Sequence, residues 1–250
     1  VNRTLILFTA LSLMAAPALA DETFSLKVGY ATLAADGEFA GLDGNATRID
    51  FKDDLGFDNS QSVIAEAALQ LGAFRFSAGY LPLSYSGRDT LSQNITFGGQ
   101  TFPASTSVKS DVDIKLYNMA AAMYLVNFDD TALRVQFGPE VGVTVADVDM
   151  SMRDMTLGTR EDVSVTAPVP TVGARGRVAF ADYLGVVGRV GYLQVRDNRF
   201  LDADVQAEFS PVPLVGIFAG YKYLDLKVDE SSVYVDSTFS GPYAGVMIRF

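Results

Sequence analysis

Between Leu133 and Ala146 the chain alternates without interruption. Leu133, Val135, Phe137, Pro139, Val141, Val143 and Val145 are apolar, while Arg134, Gln136, Gly138, Glu140, Gly142, Thr144 and Ala146 are polar or small. A period of two places one set on each face of an extended strand. Two folds can use such a strand. In a soluble sandwich the apolar face packs inward and the other meets water. In a membrane barrel the apolar face meets lipid and the other lines the lumen.

The ends of the chain favour the barrel. Arg3 precedes an apolar run from Leu5 to Met14, too short to span a bilayer, and Ala18-Leu19-Ala20 offers small residues for cleavage. This pattern predicts a signal peptide over residues 1–20 and one exported domain over 21–250. After it comes no run of about 18 uncharged apolar residues, so the sequence predicts no transmembrane helix. Yet 49% of the residues are hydrophobic. A β-barrel reconciles the two facts, because it spreads its apolar residues one in two over many strands.

Composition narrows the function. The chain has no cysteine, which removes a lipoprotein anchor, disulfide scaffolds and thiol chemistry together. It has no tryptophan, so an aromatic girdle must be built of Tyr and Phe. Tyr30, Tyr80, Tyr124, Tyr192, Tyr221, Tyr223 and Tyr243 fall near predicted strand ends, where an amphipathic ring suits the interface. A net charge of −11 argues against nucleic acid. The histidine count is zero. Without imidazole there is no Ser-His-Asp triad, no histidine–cysteine zinc site and no general base tuned near neutral pH. The expectation is a protein with no catalytic residue, no cofactor and no metal.

Ten strand-like segments can be laid out, near 24–34, 62–71, 74–86, 110–125, 132–147, 163–180, 184–196, 202–209, 214–227 and 233–250. Eight is the alternative, if 184–196 and 202–209 are not membrane strands. Tight turns, such as Gly72-Ala73, alternate with longer connections. That alternation predicts an antiparallel up-and-down transmembrane barrel with both termini at the periplasmic rim. Within the 88–108 connection, Gly98-Gly99 between short alternating runs predicts a small hairpin projecting from the barrel. Pro82, Pro139, Pro168 and Pro170 fall inside predicted strands, and at least one of these should be irregular.

If lipid takes the apolar phase, the inward phase supplies Glu66, Arg75, Asp113, Lys115, Arg134, Glu140, Arg175, Arg177, Arg189, Glu208, Lys222 and Arg249. In a lumen this narrow they form either an ion-paired plug or a thin pore favouring anions. Asp50, Asp53, Asp54 and Asp58 read as a solvated acidic loop, with a shared divalent cation as the alternative. Leu55, Phe57, Phe97 and Phe102 are loop apolar residues that either form a lid or pack against the barrel mouth.

The last ten residues carry a resemblance. Gly241-Pro242-Tyr243-Ala244-Gly245-Val246-Met247-Ile248-Arg249-Phe250 resembles the C-terminal signal of outer-membrane β-barrel proteins: alternating apolar residues ending in an aromatic. The resemblance implies that Ala244, Val246, Ile248 and Phe250 are read by the barrel-assembly machinery. With its first strand and the loop from Asp53 to Asp58, the chain is similar to small barrels grouped with the OmpA-like and OmpW-like porins. That likeness implies a Gram-negative outer membrane reached through the periplasm, contact with lipid and lipopolysaccharide, and a monomer. The implied role is porin-like or membrane-structural, with small solutes as candidate cargo. The competing expectation is a binding or adhesion barrel working through loops 36–60, 88–108 and 149–161.

Overall fold

Val, Ile, Tyr and Phe recur at alternate positions through most of the chain, and such residues fit a pleated surface. The computed structural model describes residues 23–40, 48–52, 54–128, 133–181, 183–212, 214–230 and 233–250. The predicted signal peptide and Asp53 lie outside the described residues. The strands are β1 (Phe24–Ala40), β2 (Ile49–Asp50), β3 (Ser60–Leu71), β4 (Phe74–Thr90), β5 (Ile95–Phe97), β6 (Gln100–Phe102) and β7 (Ser107–Met123). They continue with β8 (Val126–Phe128), β9 (Arg134–Asp154), β10 (Arg160–Ala181), β11 (Leu184–Val195), β12 (Asn198–Val212), β13 (Val215–Glu230) and β14 (Val233–Arg249). No helix among them is long and apolar enough to cross a membrane.

Ten of these strands close into an antiparallel barrel in the order β1-β3-β4-β7-β9-β10-β11-β12-β13-β14, with β14 returning to β1. The eight-strand alternative falls, because β11 and β12 pair along their whole length from Leu184–Phe209 to Val195–Asn198. β8 carries the line of β7 further along β9 after the register slips by one residue. β3 and β4 are joined at one rim through Gly72, which takes a φ of 58° that a tight turn requires, and the long connection carrying β5 and β6 lies at the other rim, where β11 and β12 are joined by only two residues. The chain ends meet at that same rim: Phe24 N donates to Phe250 O at 3.1 Å, and Phe250 N to Phe24 O at 2.8 Å.

At the opposite rim the strands outrun the lengths predicted from the sequence, most of all β1 and β9. The prolines fit this geometry. Pro168 and Pro170 pair with Val145 and Val143 in unbroken register. They lie where β10 extends past β11, whose pairing begins only at Val172, so one edge of the strand there has no partner to miss an N–H. Pro139 also sits in continuous register, opposite Ala174. Pro82 is different, since the pairing of β3 with β4 stops at Ala65–Tyr80, just short of it.

The apolar phase reverses partway up the wall. On the lower part, Leu26, Val28, Phe76, Met119, Phe137, Val141, Ile217 and Val246 are exposed on the outside. Tyr30, Tyr80, Tyr117, Tyr192 and Tyr221 top this belt, and Phe24, Phe74, Phe180 and Phe250 border its base. Such a belt suits hydrocarbon flanked by two interfaces. Above the tyrosines the inward residues turn apolar instead: Leu33 and Phe39 on β1, Leu83 and Tyr85 on β4, Val112 and Ile114 on β7, Met152 on β9.

That upper interior is a hydrophobic core. Ile49, Phe51 and Leu55 enter it from the first long connection, and Leu91, Ile95, Phe97 and Phe102 from the second. The β5–β6 hairpin therefore does not project from the barrel, as the sequence suggested. It folds inward because its three large apolar side chains have a mouth lined by Leu, Tyr and Val to fill, and all three are essentially buried. Phe57 stacks between Phe51 and Tyr85, with centroids 5.6 and 6.1 Å away.

Candidate functional site

Below the apolar core the lumen is occupied by two chains of alternating charge. Period two puts their members inward on each strand, and the narrow bore brings opposite walls within side-chain reach. In the first chain, Arg175 Nε on β10 contacts Glu140 Oε2 on β9 at 2.6 Å, and Arg189 Nε on β11 lies 3.5 Å from the other oxygen. Arg189 also pairs with Asp202 on β12, which in turn holds Lys222 Nζ on β13 at 2.6 Å.

The second chain crosses the bore. Arg75 on β4 and Lys27 on β1 approach Glu66 on β3 at 3.8 and 3.7 Å. Lys27 Nζ then reaches Glu208 on β12 at 2.8 Å, although three strand boundaries separate β1 from β12. Arg177 and Arg249 approach Glu208 from β10 and β14 at 3.4 and 4.0 Å. Two more chords run across the interior. Arg189 donates to Asn118 on β7 at 3.3 Å, and the Tyr243 hydroxyl donates to Asp204 at 2.8 Å. The tip of the Phe218 ring reaches over Gly29 and Gly245, where an added Cβ would come within 2.9 and 2.7 Å of its Cζ.

Ten of the twelve sequence-predicted lumen residues share this inward phase: Glu66, Arg75, Arg134, Glu140, Arg175, Arg177, Arg189, Glu208, Lys222 and Arg249. All but Arg134 belong to the two ionic chains described above, and Arg134 is half-buried on the inward face at the lower end of β9. Asp113 and Lys115 are corrections. They lie on the outer face of β7, where Asp113 accepts from Ser84 Oγ at 2.6 Å and Lys115 faces Asp149 at 3.6 Å. Their strand has risen past the Tyr117 level, so its outer face meets water rather than lipid.

Sequence reading missed Lys27 and Asp202, which link the ionic chains, and also Asp204. Tyr124 and Tyr243, expected in the interfacial girdle, are instead buried, and the Tyr243 hydroxyl donates to Asp204. The signal for Lys27 was available: it alternates with the outward Phe24, Leu26 and Val28. In the first acidic loop, Asp54 accepts from Asp50 N at 2.9 Å and Asp50 accepts from Lys52 N at 2.7 Å. Among the described residues no group of three or more potential ligands converges as a metal site. Ala244, Val246, Ile248 and Phe250 all face outward on the closing strand.

The fold is that of a ten-stranded transmembrane β-barrel. It is similar to the crystal structure of the outer membrane protease OmpT from Escherichia coli, with a TM-score of 0.66 and 10% identity over 94% of this chain and 99% of that one. A weaker likeness connects it to the translocator domain of the autotransporter NalP from Neisseria meningitidis, at a TM-score of 0.48 and 14% identity over 99% and 98% of the two chains. The attachment invasion locus protein Ail of Yersinia pestis matches at a TM-score of 0.35 and 10% identity, over 91% and 100%. No protein-family model matches the chain, and no curated protein matches it in sequence.

Proposed function

We propose that the protein is a sealed barrel of the Gram-negative outer membrane, a non-conducting and non-catalytic platform that works through its outward-facing rim. The observation that carries this reading is the double closure of the bore. Ionic chords such as Lys27–Glu208 cross its lower part, and the β5–β6 hairpin and the first long connection fill its mouth. A pore reading needs an open aqueous path, and Arg175, which would line it, is only 2% exposed.

The outer-membrane assignment is supported by the apolar belt, its aromatic borders and the meeting of both chain ends at one rim. The absence of histidine supports the non-catalytic reading. OmpT is named as a protease, but a likeness at 10% identity carries the fold alone. Above the tyrosines, β7, β9 and β10 present a mixed-charge outer face, with Lys109 on Asp111 and Arg160 on Asp162. That face suits lipopolysaccharide phosphates and cations, or a polar partner.

Planar-bilayer recording tests this. The intact barrel is expected to give no discrete conductance. Removing residues 92–105 together with Lys27→Ala should give conducting barrels. A steady single-channel current from the unaltered protein would overturn the sealed-platform reading.

A further inference from the structure

One strand of the wall lacks a neighbour above the tyrosine girdle. β10 pairs with β9 from Arg160–Arg153 down to Ala179–Arg134, but with β11 only from Val172–Tyr192 downward. At the upper turn Asp154 N donates to Thr159 O at 2.8 Å, so the odd-numbered residues of β10 bond to β9. The even-numbered residues send their N–H and C=O the other way. Pro168 and Pro170 agree with this phase, because both sit in unbroken register with β9. They also blunt the lower part of the free edge, since neither has an N–H to give. Above them Arg160, Asp162, Ser164 and Thr166 keep theirs, over about 20 Å of strand. Among the described residues no backbone bond fills that stretch.

The edge is braced from both sides. On the inner face Val163 packs against the apolar core of the mouth, and the tip of the β5–β6 hairpin leans on it. A Cβ added at Gly98 would lie 3.4 Å from Val163 Cγ2 and 3.5 Å from Glu161. Val165 shares the inward phase but is 41% exposed, so apolar surface remains uncovered along the edge. On the outer face the register sets Ser164, Asp149 and Asp113 in one row across three strands. They border a cleft of about 260 Å³ together with Asp111 and Asp162. Lys109, Lys115 and Arg160 answer Asp111, Asp149 and Asp162. Among the described residues Asp113 has the Ser84 hydroxyl and no cation, so the row stays negative.

We propose that this edge docks an extended segment of a partner polypeptide, antiparallel to β10, in which basic and apolar residues alternate. An extended backbone offers donors and acceptors at the spacing Arg160 to Thr166 present. Its apolar side chains cover Val165 on the inner face. Its basic side chains take the outer face, where one opposite Ser164 lies beside Asp162 and looks along the row to Asp149. Pro168 ends the added strand before it reaches the membrane. The inference rests on the reading of the barrel as a platform working through its rim. Bilayer recording tests that reading without any peptide, so the two fail separately.

The probe is a capped peptide of about seven residues alternating lysine and valine, added to the whole barrel in phosphatidylcholine nanodiscs, with empty nanodiscs as the blank. Saturable binding is expected, with slowed hydrogen exchange at the amides of Arg160, Asp162, Ser164 and Thr166. Methylating the peptide nitrogens that face β10 should weaken binding about tenfold or more, since each methyl removes a backbone bond. Glutamate in place of lysine should weaken it about tenfold through repulsion by the carboxylate row. Ser164→Pro deletes an N–H that β9 does not use, as Pro168 already does, and should abolish both binding and protection. If that variant does not fold, the methylated peptide makes the same cut from the other side. Binding that survives these cuts is electrostatic adhesion and overturns the docked strand. A glutamate peptide that binds as tightly overturns the partner's chemistry. Protection of the same amides without peptide, in paired barrels, would give the edge to a second copy of this chain instead.

Discussion

Arg175 spends nearly all of its surface inside the bore, and its Nε–Oε2 contact with Glu140 is 2.6 Å. Attraction alone does not make such a pair stabilising, because removing two charges from water costs about as much as their contact returns. What the pair does strictly require is completeness. Arg175→Met leaves Glu140 buried with only Arg189 at 3.5 Å, and should lower unfolding free energy in lipid by about 3–5 kcal/mol. Adding Glu140→Leu removes the stranded carboxylate and should recover a large part of that loss. Urea titration followed by tyrosine fluorescence reads both changes, since no tryptophan competes. A double variant weaker than the single one would show that Glu140 serves Arg189 more than Arg175.

At the scale of elements, the β5–β6 hairpin is held by burial of Ile95, Phe97 and Phe102 and by few strand bonds of its own. Phe97→Ser with Phe102→Ser should release it while the barrel below stays folded. Proteolysis within 91–106 should then quicken markedly, with the heat-dependent gel shift of the barrel unchanged. If cleavage stays slow, the hairpin is held by something other than its aromatic anchors. The same element shows where sequence reading reaches its limit. On β9 the alternation from Val135 to Val145 was legible, because lipid and lumen impose opposite polarities on the two faces. Past Val145 the strand leaves the membrane and the polarities exchange: Val148, Met150 and Met152 point inward, Asp147 and Asp149 outward. Extending one phase along all of β7 is what misplaced Asp113 and Lys115. The reversal itself is written in the chain, at Tyr30-Ala31, Tyr80-Leu81 and Leu116-Tyr117. The chord from Lys27 to Glu208 is not, since it depends on which walls face each other once the cylinder has closed.

Closure of the whole molecule rests on β14 returning to β1, from Ser25–Arg249 to Ala40–Tyr234. Phe250 sits at the end of that seam, bonded to Phe24 through the backbone in both directions and 6.2 Å from its ring. Its side chain is 43% exposed and faces outward, so it contributes little to the interior. Phe250→Ala keeps both backbone bonds and forfeits only a ring contact worth about 1 kcal/mol. Packing alone therefore predicts nearly normal folding into synthetic lipid vesicles. If Ala244, Val246, Ile248 and Phe250 instead form the stripe read during assembly, the same substitution should sharply reduce the folded barrel recovered from bacterial outer membranes. The two measurements separate a structural residue from a recognised one. Normal yield in both settings would strip Phe250 of its role as a signal, whereas equal loss in both would make it a clasp on the seam.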